Sequence, residues 1–229
     1  MITENRSVRR AMRILGMTLV ASLALAAVAV ASASATTWKA GGSLFTNGES
    51  ATVIVSNKAA LGGTGFIFAL KVLGKTLKFT ANTLAGESVT IKQSGSEALD
   101  SGKLIFSGLT VVEPSGCGVE TITTEPLSSK LEAKTGLTSG LADHLFPTSG
   151  ETFAKIKVTT CAIAGTYPLK GTLYAETNAL GVLAVNQPLK FSPAINTAAG
   201  GKLLLGTEEM TLTGVGINTL TSGLSWGAE

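Results

Sequence analysis

Much of the chain keeps a two-residue rhythm. Leu77, Phe79 and Ala81 alternate with Thr76, Lys78 and Thr80, and Ala154, Ile156 and Val158 alternate with Lys155 and Lys157. That period puts apolar side chains on one face of an extended strand and polar ones on the other. The same reading predicts strands over Thr52 to Ser56, Glu87 to Lys92, Lys103 to Glu113, Thr121 to Glu125, Leu127 to Lys134 and Phe153 to Thr160. Tyr167 to Glu176 is two-faced, with Lys170, Thr172, Tyr174 and Glu176 on its polar side. Shorter strands follow over Gly181 to Val185, Pro188 to Phe191, Lys202 to Leu205 and Glu209 to Thr213. Phe66 to Leu73 reads as a buried strand that pairs with Thr76 to Ala81 across a turn at Gly74-Lys75. Trp38 to Phe45 reads as a short edge strand before the turn signal Asn47-Gly48.

The breaks between strands carry turn chemistry. Gly62, Gly63 and Gly65 form one turn, and Pro114 to Gly118 forms a corner where proline fixes φ and glycine supplies left-handed conformations. Gln93 to Gly102 reads as a polar turn, Phe146, Pro147, Ser149 and Gly150 as another, Asn196 to Gly201 as a loop and Gly214 to Gly216 as a bend. Many short strands at close spacing predict an all-β fold, an antiparallel sandwich or barrel. The core is expected to be continuous, or to be two halves meeting near Pro114.

The N-terminus follows a different pattern. Arg6, Arg9, Arg10 and Arg13 precede an apolar run from Met17 to Ala31, and small residues occupy Ala31-Ser32-Ala33 and Ala33-Ser34-Ala35. This predicts a signal-peptide helix over residues 1–35, cleaved after Ala35 or after Ala33, ahead of a β-rich secreted domain over 36–229. An uncleaved membrane anchor is the alternative, and Arg9-Arg10 raises twin-arginine export beside the general route.

Export changes the charge picture. Residues 1–35 hold four Arg and one Glu, so the rest of the chain carries 14 basic and 14 acidic residues and no arginine. Without arginine or a basic stripe, a nucleic-acid partner is not expected. The two cysteines, Cys117 and Cys161, form the one intramolecular disulfide available in an oxidising compartment.

The run PSGC, then TITTEPL, then FPTSGETFAKIKV, then CAIAGTYPLKGTLYAE, falling in about residues 104 to 200, resembles a pattern in uncharacterised exported proteins of soil actinobacteria. The resemblance implies a secreted β-rich protein and no particular activity. Such proteins often carry further cysteines in their N-terminal strands. Here Leu77 to Thr80 has none, so a second disulfide is absent.

Catalytic chemistry has few residues to draw on. His144 is the lone histidine, and its neighbour Asp143 points the other way on an extended chain, so a triad would need Ser115 or Ser149 delivered by the fold. His144 reads instead as a loop residue without a partner. Glu208-Glu209 is the one adjacent acidic pair and is expected to face solvent. No zinc spacing or calcium loop appears, and Gly62, Gly63 and Gly65 lack the lysine of a phosphate cradle. Trp38 and Trp226 are expected to pack where the terminal strands meet, and Tyr174 to be exposed.

No catalytic, cofactor-binding or metal-ligating residue is therefore expected, and no cofactor. The functional expectation is a non-catalytic envelope or extracellular module acting through its surface, with the membrane involved only through an uncleaved signal segment. The alternatives are a secreted hydrolase whose carboxylate pair the fold assembles, and a barrel that binds a small apolar ligand beside Phe66, Phe68 and Phe106.

Overall fold

A computed structural model of the chain describes residues 36–57 and 65–229, so the signal-peptide helix expected over residues 1–35 and the turn expected at Gly62 and Gly63 lie outside the described residues. In chain order the strands are β1 (Trp38–Ala40), β2 (Ser43–Leu44), β3 (Ser50–Asn57), β4 (Phe66–Val72), β5 (Lys75–Ser94) and β6 (Glu97–Glu113). After the proline corner come β7 (Gly118–Val119), β8 (Ile122–Thr123), β9 (Leu127–Ala133), β10 (Leu141–Pro147), β11 (Thr152–Thr159) and β12 (Gly165–Glu176). The chain then runs through β13 (Asn186–Phe191), helix α1 (Pro193–Ala199), β14 (Lys202–Leu205), β15 (Glu208–Leu220) and β16 (Trp226–Ala228).

The pairings close into rings. Going round one, β10 pairs with β9, then β6, β5, β3, β15, β13 and β12, and β12 returns to β10 through Ala142↔Glu176, Asp143↔Ala175, His144↔Tyr174 and Leu145↔Leu173. Every ladder is antiparallel. A second ring shares the long strands β5, β6, β12 and β15. It passes from β5 to β4, β15, β14, β12 and β11, and reaches β6 through β8 and the bridge Thr124↔Ala154. Closure removes the free edges that would recruit other strands. The fold is the all-β antiparallel architecture expected, and its closed pairings give it a barrel-like character.

The interiors differ. Around the second ring, Phe68 stacks on Phe79 with centroids 4.8 Å apart and meets Phe106 edge-on at 5.0 Å, while Phe66 meets Phe106 at 5.3 Å. These rings are fully or almost fully buried. The first ring is lined by smaller aliphatics such as Val55, Leu104, Leu127 and Leu189, and it admits polar groups. Gly171 lets β12 serve both rings: its φ is +107°, and a Cβ there would sit 2.2 Å from the Lys202 carbonyl oxygen of β14.

A small sheet, β16-β1-β2, brings the described ends together. Trp38 and Trp226 pack there, both buried, with ring centroids 5.4 Å apart. Gln93 ties this sheet to β5, since its Oε1 accepts from Trp38 N at 2.9 Å and its Nε2 donates to the Thr36 and Gly95 carbonyls.

Several segments depart from the sequence reading. The expected turn over Gln93 to Gly102 shrinks to two residues, because β5 runs to Ser94 and β6 starts at Glu97. Gly181 to Val185 forms only one bridge, Ala184↔Trp226. Gly214 to Gly216 stays inside β15. Phe66 to Leu73 is not uniformly buried, as Ile67 and Lys71 face outward. Asn196 to Gly201 is largely helix: Ser192 caps α1 by accepting from Ile195 N, Pro193 opens it, and Gly200 ends it in a left-handed conformation. Most consequential for the site, β10 occupies a stretch where only a turn at Phe146-Pro147 was expected. Among the described residues no helix is long and apolar enough to cross a membrane.

Cys117 and Cys161 are joined by a disulfide with Cα atoms 4.9 Å apart, beside the short β7–β11 ladder. Such a bond suits an oxidising compartment. It closes a loop of 44 residues in sequence separation, which in the chain-entropy model disfavours the unfolded state by about 4 kcal/mol. A Cys117→Ser, Cys161→Ser double variant is expected to lose about that much unfolding free energy in denaturant titration. An unchanged midpoint would contradict the assignment.

Candidate functional site

Strand alternation sends Asp143 and His144 to opposite sides of the first ring, Asp143 inward and His144 outward. The outward side meets β9 and β12. Because His144 registers against Tyr174 on one side and Lys130 on the other, the rings of His144 and Tyr174 stack, with centroids 4.2 Å apart and planes 8° from parallel. His144 is thus a strand residue with partners rather than the isolated loop residue expected.

Glu132 organises this outer cluster. Its Oε1 lies 3.1 Å from His144 Nδ1 and 3.1 Å from Lys130 Nζ, and its Oε2 accepts from Tyr174 OH at 3.0 Å and from Lys134 Nζ at 2.8 Å. Lys134 Nζ also stands 4.7 Å from the centre of the Tyr174 ring. Partial burial works against ionisation of Glu132, yet the hydrogen bonds from Lys134, Lys130, His144 and Tyr174 hold its carboxyl at about 2. Burial alone would lower Lys134, but its bonds to Glu132 and Tyr174 raise it above its ordinary range.

Tyr174 is buried, not exposed as its strand face suggested. Helix α1 covers it: Ile195 and Ala199 pack with Tyr174 and Ala142, and Asn196 Oδ1 accepts from Tyr174 N at 2.9 Å. That bond matters because β12 meets β13 through a single pair, Glu176↔Lys190, and Asn196 fills the gap before β14 begins to pair.

Beside the cluster, Phe146 lies 5.3 Å from His144 and opens onto a surface groove of about 540 Å³. Pro147, Thr172, Leu204, Gly171 and Gly206 line it, and Lys170 and Glu151 form an ion pair of 3.0 Å within it. The volume lies in the range of small-molecule sites.

The inward side is different chemistry. Asp100 of β6 registers with Ser129 of β9, and Asp143 registers with Leu131 two residues along, so the two carboxyls converge inside the first ring. Burial pushes Asp100 well above the usual carboxylate range, with Asp143 adding to the effect. Burial likewise raises Asp143 to about 6, although Ser129 and Asp100 nearby pull it back. Ser129 Oγ, Asp143 Oδ1 and Asn218 Oδ1 are buried without a hydrogen-bond partner. They flank two cavities of about 30 and 20 Å³, the first lined by Asp100, Ser129, Asp143 and Asn218, the second by Asp100, Asp143, Gln187, Asn218 and the two tryptophans. Each is about the size of one water.

Other sequence candidates fall elsewhere. Ser115 and Ser149 are exposed, and the polar partner of His144 is Glu132 rather than either serine. Glu208 and Glu209 face solvent. Phe66, Phe68 and Phe106 pack against one another, and the cavity beside Phe68 and Phe106 is about 10 Å³. Glu132 and Asp100 carry no local sequence signal, because the partners of each come from other strands. Compared with family models, with curated proteins and with solved structures, the chain matches none.

The low value of Glu132 fixes a direction for acid sensitivity. A carboxyl lowered from 4.5 to about 2 by folding stabilises the native state fully above the unfolded value, and that contribution fades as pH falls through the folded one. Between pH 6 and pH 2.5 the native chain is expected to lose about 2 kcal/mol more than Glu132→Gln in urea unfolding, allowing for solvent screening. Parallel pH profiles for the two proteins would refute the role given to Glu132.

Proposed function

We propose that the chain is an exported, non-catalytic module of the cell envelope or extracellular space that binds its partner through the outer groove beside Phe146. The contrast in room carries this reading: about 540 Å³ outside, against 20 to 30 Å³ at the interior carboxyls and about 10 Å³ beside Phe68 and Phe106. Export itself rests on the Arg-rich start and small-residue triplets, and on the resemblance to exported actinobacterial proteins, and the disulfide fits it.

The groove favours an uncharged, hydroxyl-rich chain such as a wall glycan. Phe146 offers an aromatic surface and Thr172 a hydroxyl. Lys170 is matched by Glu151, so the groove has no net pull on an anion. Domain-wide neutrality and the absence of arginine after residue 35 argue the same way.

A hydrolase reading draws on one specific observation, the converging carboxyls of Asp100 and Asp143. Their cavities have room for about one water and none for a substrate, which weighs against it. An apolar-ligand barrel meets the same difficulty of space around the phenylalanines.

Mature protein is expected to co-sediment with insoluble cell-wall material, and Phe146→Ala to weaken retention about tenfold, the effect of losing an aromatic anchor worth about 1.4 kcal/mol. Ile54→Ala, an exposed apolar residue of β3 on the far side of the first ring, serves as the control. Failure of the wild type to sediment, or equal retention by Phe146→Ala, would remove the groove from the reading.

A further inference from the structure

The interior cluster of the first ring gathers side-chain oxygen atoms from several strands around one cavity. Four strands contribute: Asp100 from β6, Ser129 from β9, Asp143 from β10 and Asn218 from β15, all lining one cavity of about 30 Å³. Ser129 is 2% exposed and Asp143 5%, yet Ser129 Oγ and Asp143 Oδ1 have no hydrogen-bond partner, and Asn218 Oδ1 is buried in the same condition. Buried polar atoms in a folded protein are normally paired, so three orphans around one void point to a missing guest.

We propose that this cavity is the site of a single hard divalent cation of the calcium type, held by Asp100, Asp143, Asn218 and Ser129. Two carboxylates balance its charge, and the carboxamide and hydroxyl oxygens supply neutral ligands from opposite walls. Every available donor is oxygen, which selects calcium or magnesium over zinc or copper. No group of three or more His, Cys, Asp or Glu is gathered among the described residues, so zinc-type chelation has no counterpart here. A local loop motif is also absent, because the ligands come from separated strands that barrel closure brings together.

The position offers its own reporter. Trp38 and Trp226 line the adjoining cavity of about 20 Å³ together with Asp100 and Asp143. A lanthanide seated between the carboxyls therefore lies within reach of tryptophan sensitisation.

The test uses mature protein treated with chelator and dialysed at pH 7.5. Titration with calcium chloride is expected to show one site per chain, and 1 mM calcium to raise the melting midpoint by about 3 to 5 °C. Terbium excited through tryptophan is expected to emit and to be displaced by calcium, and Asp100→Asn and Asp143→Asn each to weaken calcium binding more than tenfold. No heat and no midpoint shift with 1 mM calcium, magnesium or manganese, together with no sensitised terbium emission, overturns the proposal and leaves a protonated pair with water in the cavity. Calcium binding unchanged in both Asn variants overturns it too. If neither variant folds, displaceable terbium emission from the wild type supports the site and its absence overturns it. None of these readouts depends on what the outer groove binds.

Discussion

Closure of the first ring through β10 and β12 is the constraint on which the rest depends. A β-strand left unpaired along its length exposes a row of amides and carbonyls, and a barrel resolves this by joining its last strand to its first. Here that joint has four residue pairs, Ala142 to Leu145 against Leu173 to Glu176. The same pairs set both chemistries of the molecule. Their outward side chains place His144 on Tyr174 and both on Glu132, and their inward side chains carry Asp143 to Asp100. The joint beyond, β12 to β13, is thin, and helix α1 compensates by lending Asn196 to the backbone amide of Tyr174.

Where one strand face meets solvent, period-2 alternation was readable, and strands such as β9, β11 and the first part of β12 emerged with nearly their true bounds. Where both faces are covered, the rhythm disappears. In β10 the run Leu141, Ala142, Asp143 is buried throughout, since Ala142 lies under α1 and Asp143 faces the interior. The pattern therefore looked like none, and the strand that closes the barrel was missed. Tyr174 was misread for the same reason: its polar-face position is true of the strand, but a helix sits on that face.

That helix had a local signature. Ser192 and Pro193 form an N-cap followed by the favoured first helical residue, and Gly200 is a left-handed terminator. Seven residues are too few for a periodic apolar stripe to stand out, so the caps were its only legible trace. The interior polar cluster had no local trace at all. Asp100, Ser129, Asp143 and Asn218 are far apart in sequence, and only the ring registers bring them to one cavity. The cysteine pair, by contrast, followed from counting, because a chain with two cysteines has one intramolecular pairing to make.

The two proposed sites lie on opposite sides of the barrel wall. Outside, a neutral groove with an aromatic edge suits recognition of an uncharged partner. Inside, converging acids in a water-sized space suit a small guest and no substrate. Both follow if β10 and β12 are hydrogen-bonded in the native state, and native-state amide exchange measures this directly. The backbone amides of residues 142 to 145 and 173 to 176 should exchange as slowly as those of the β5–β6 ladder, by the global unfolding route. Rapid exchange along this seam, with β5 and β6 still protected, would mean an open sheet and would contradict the placement of both sites.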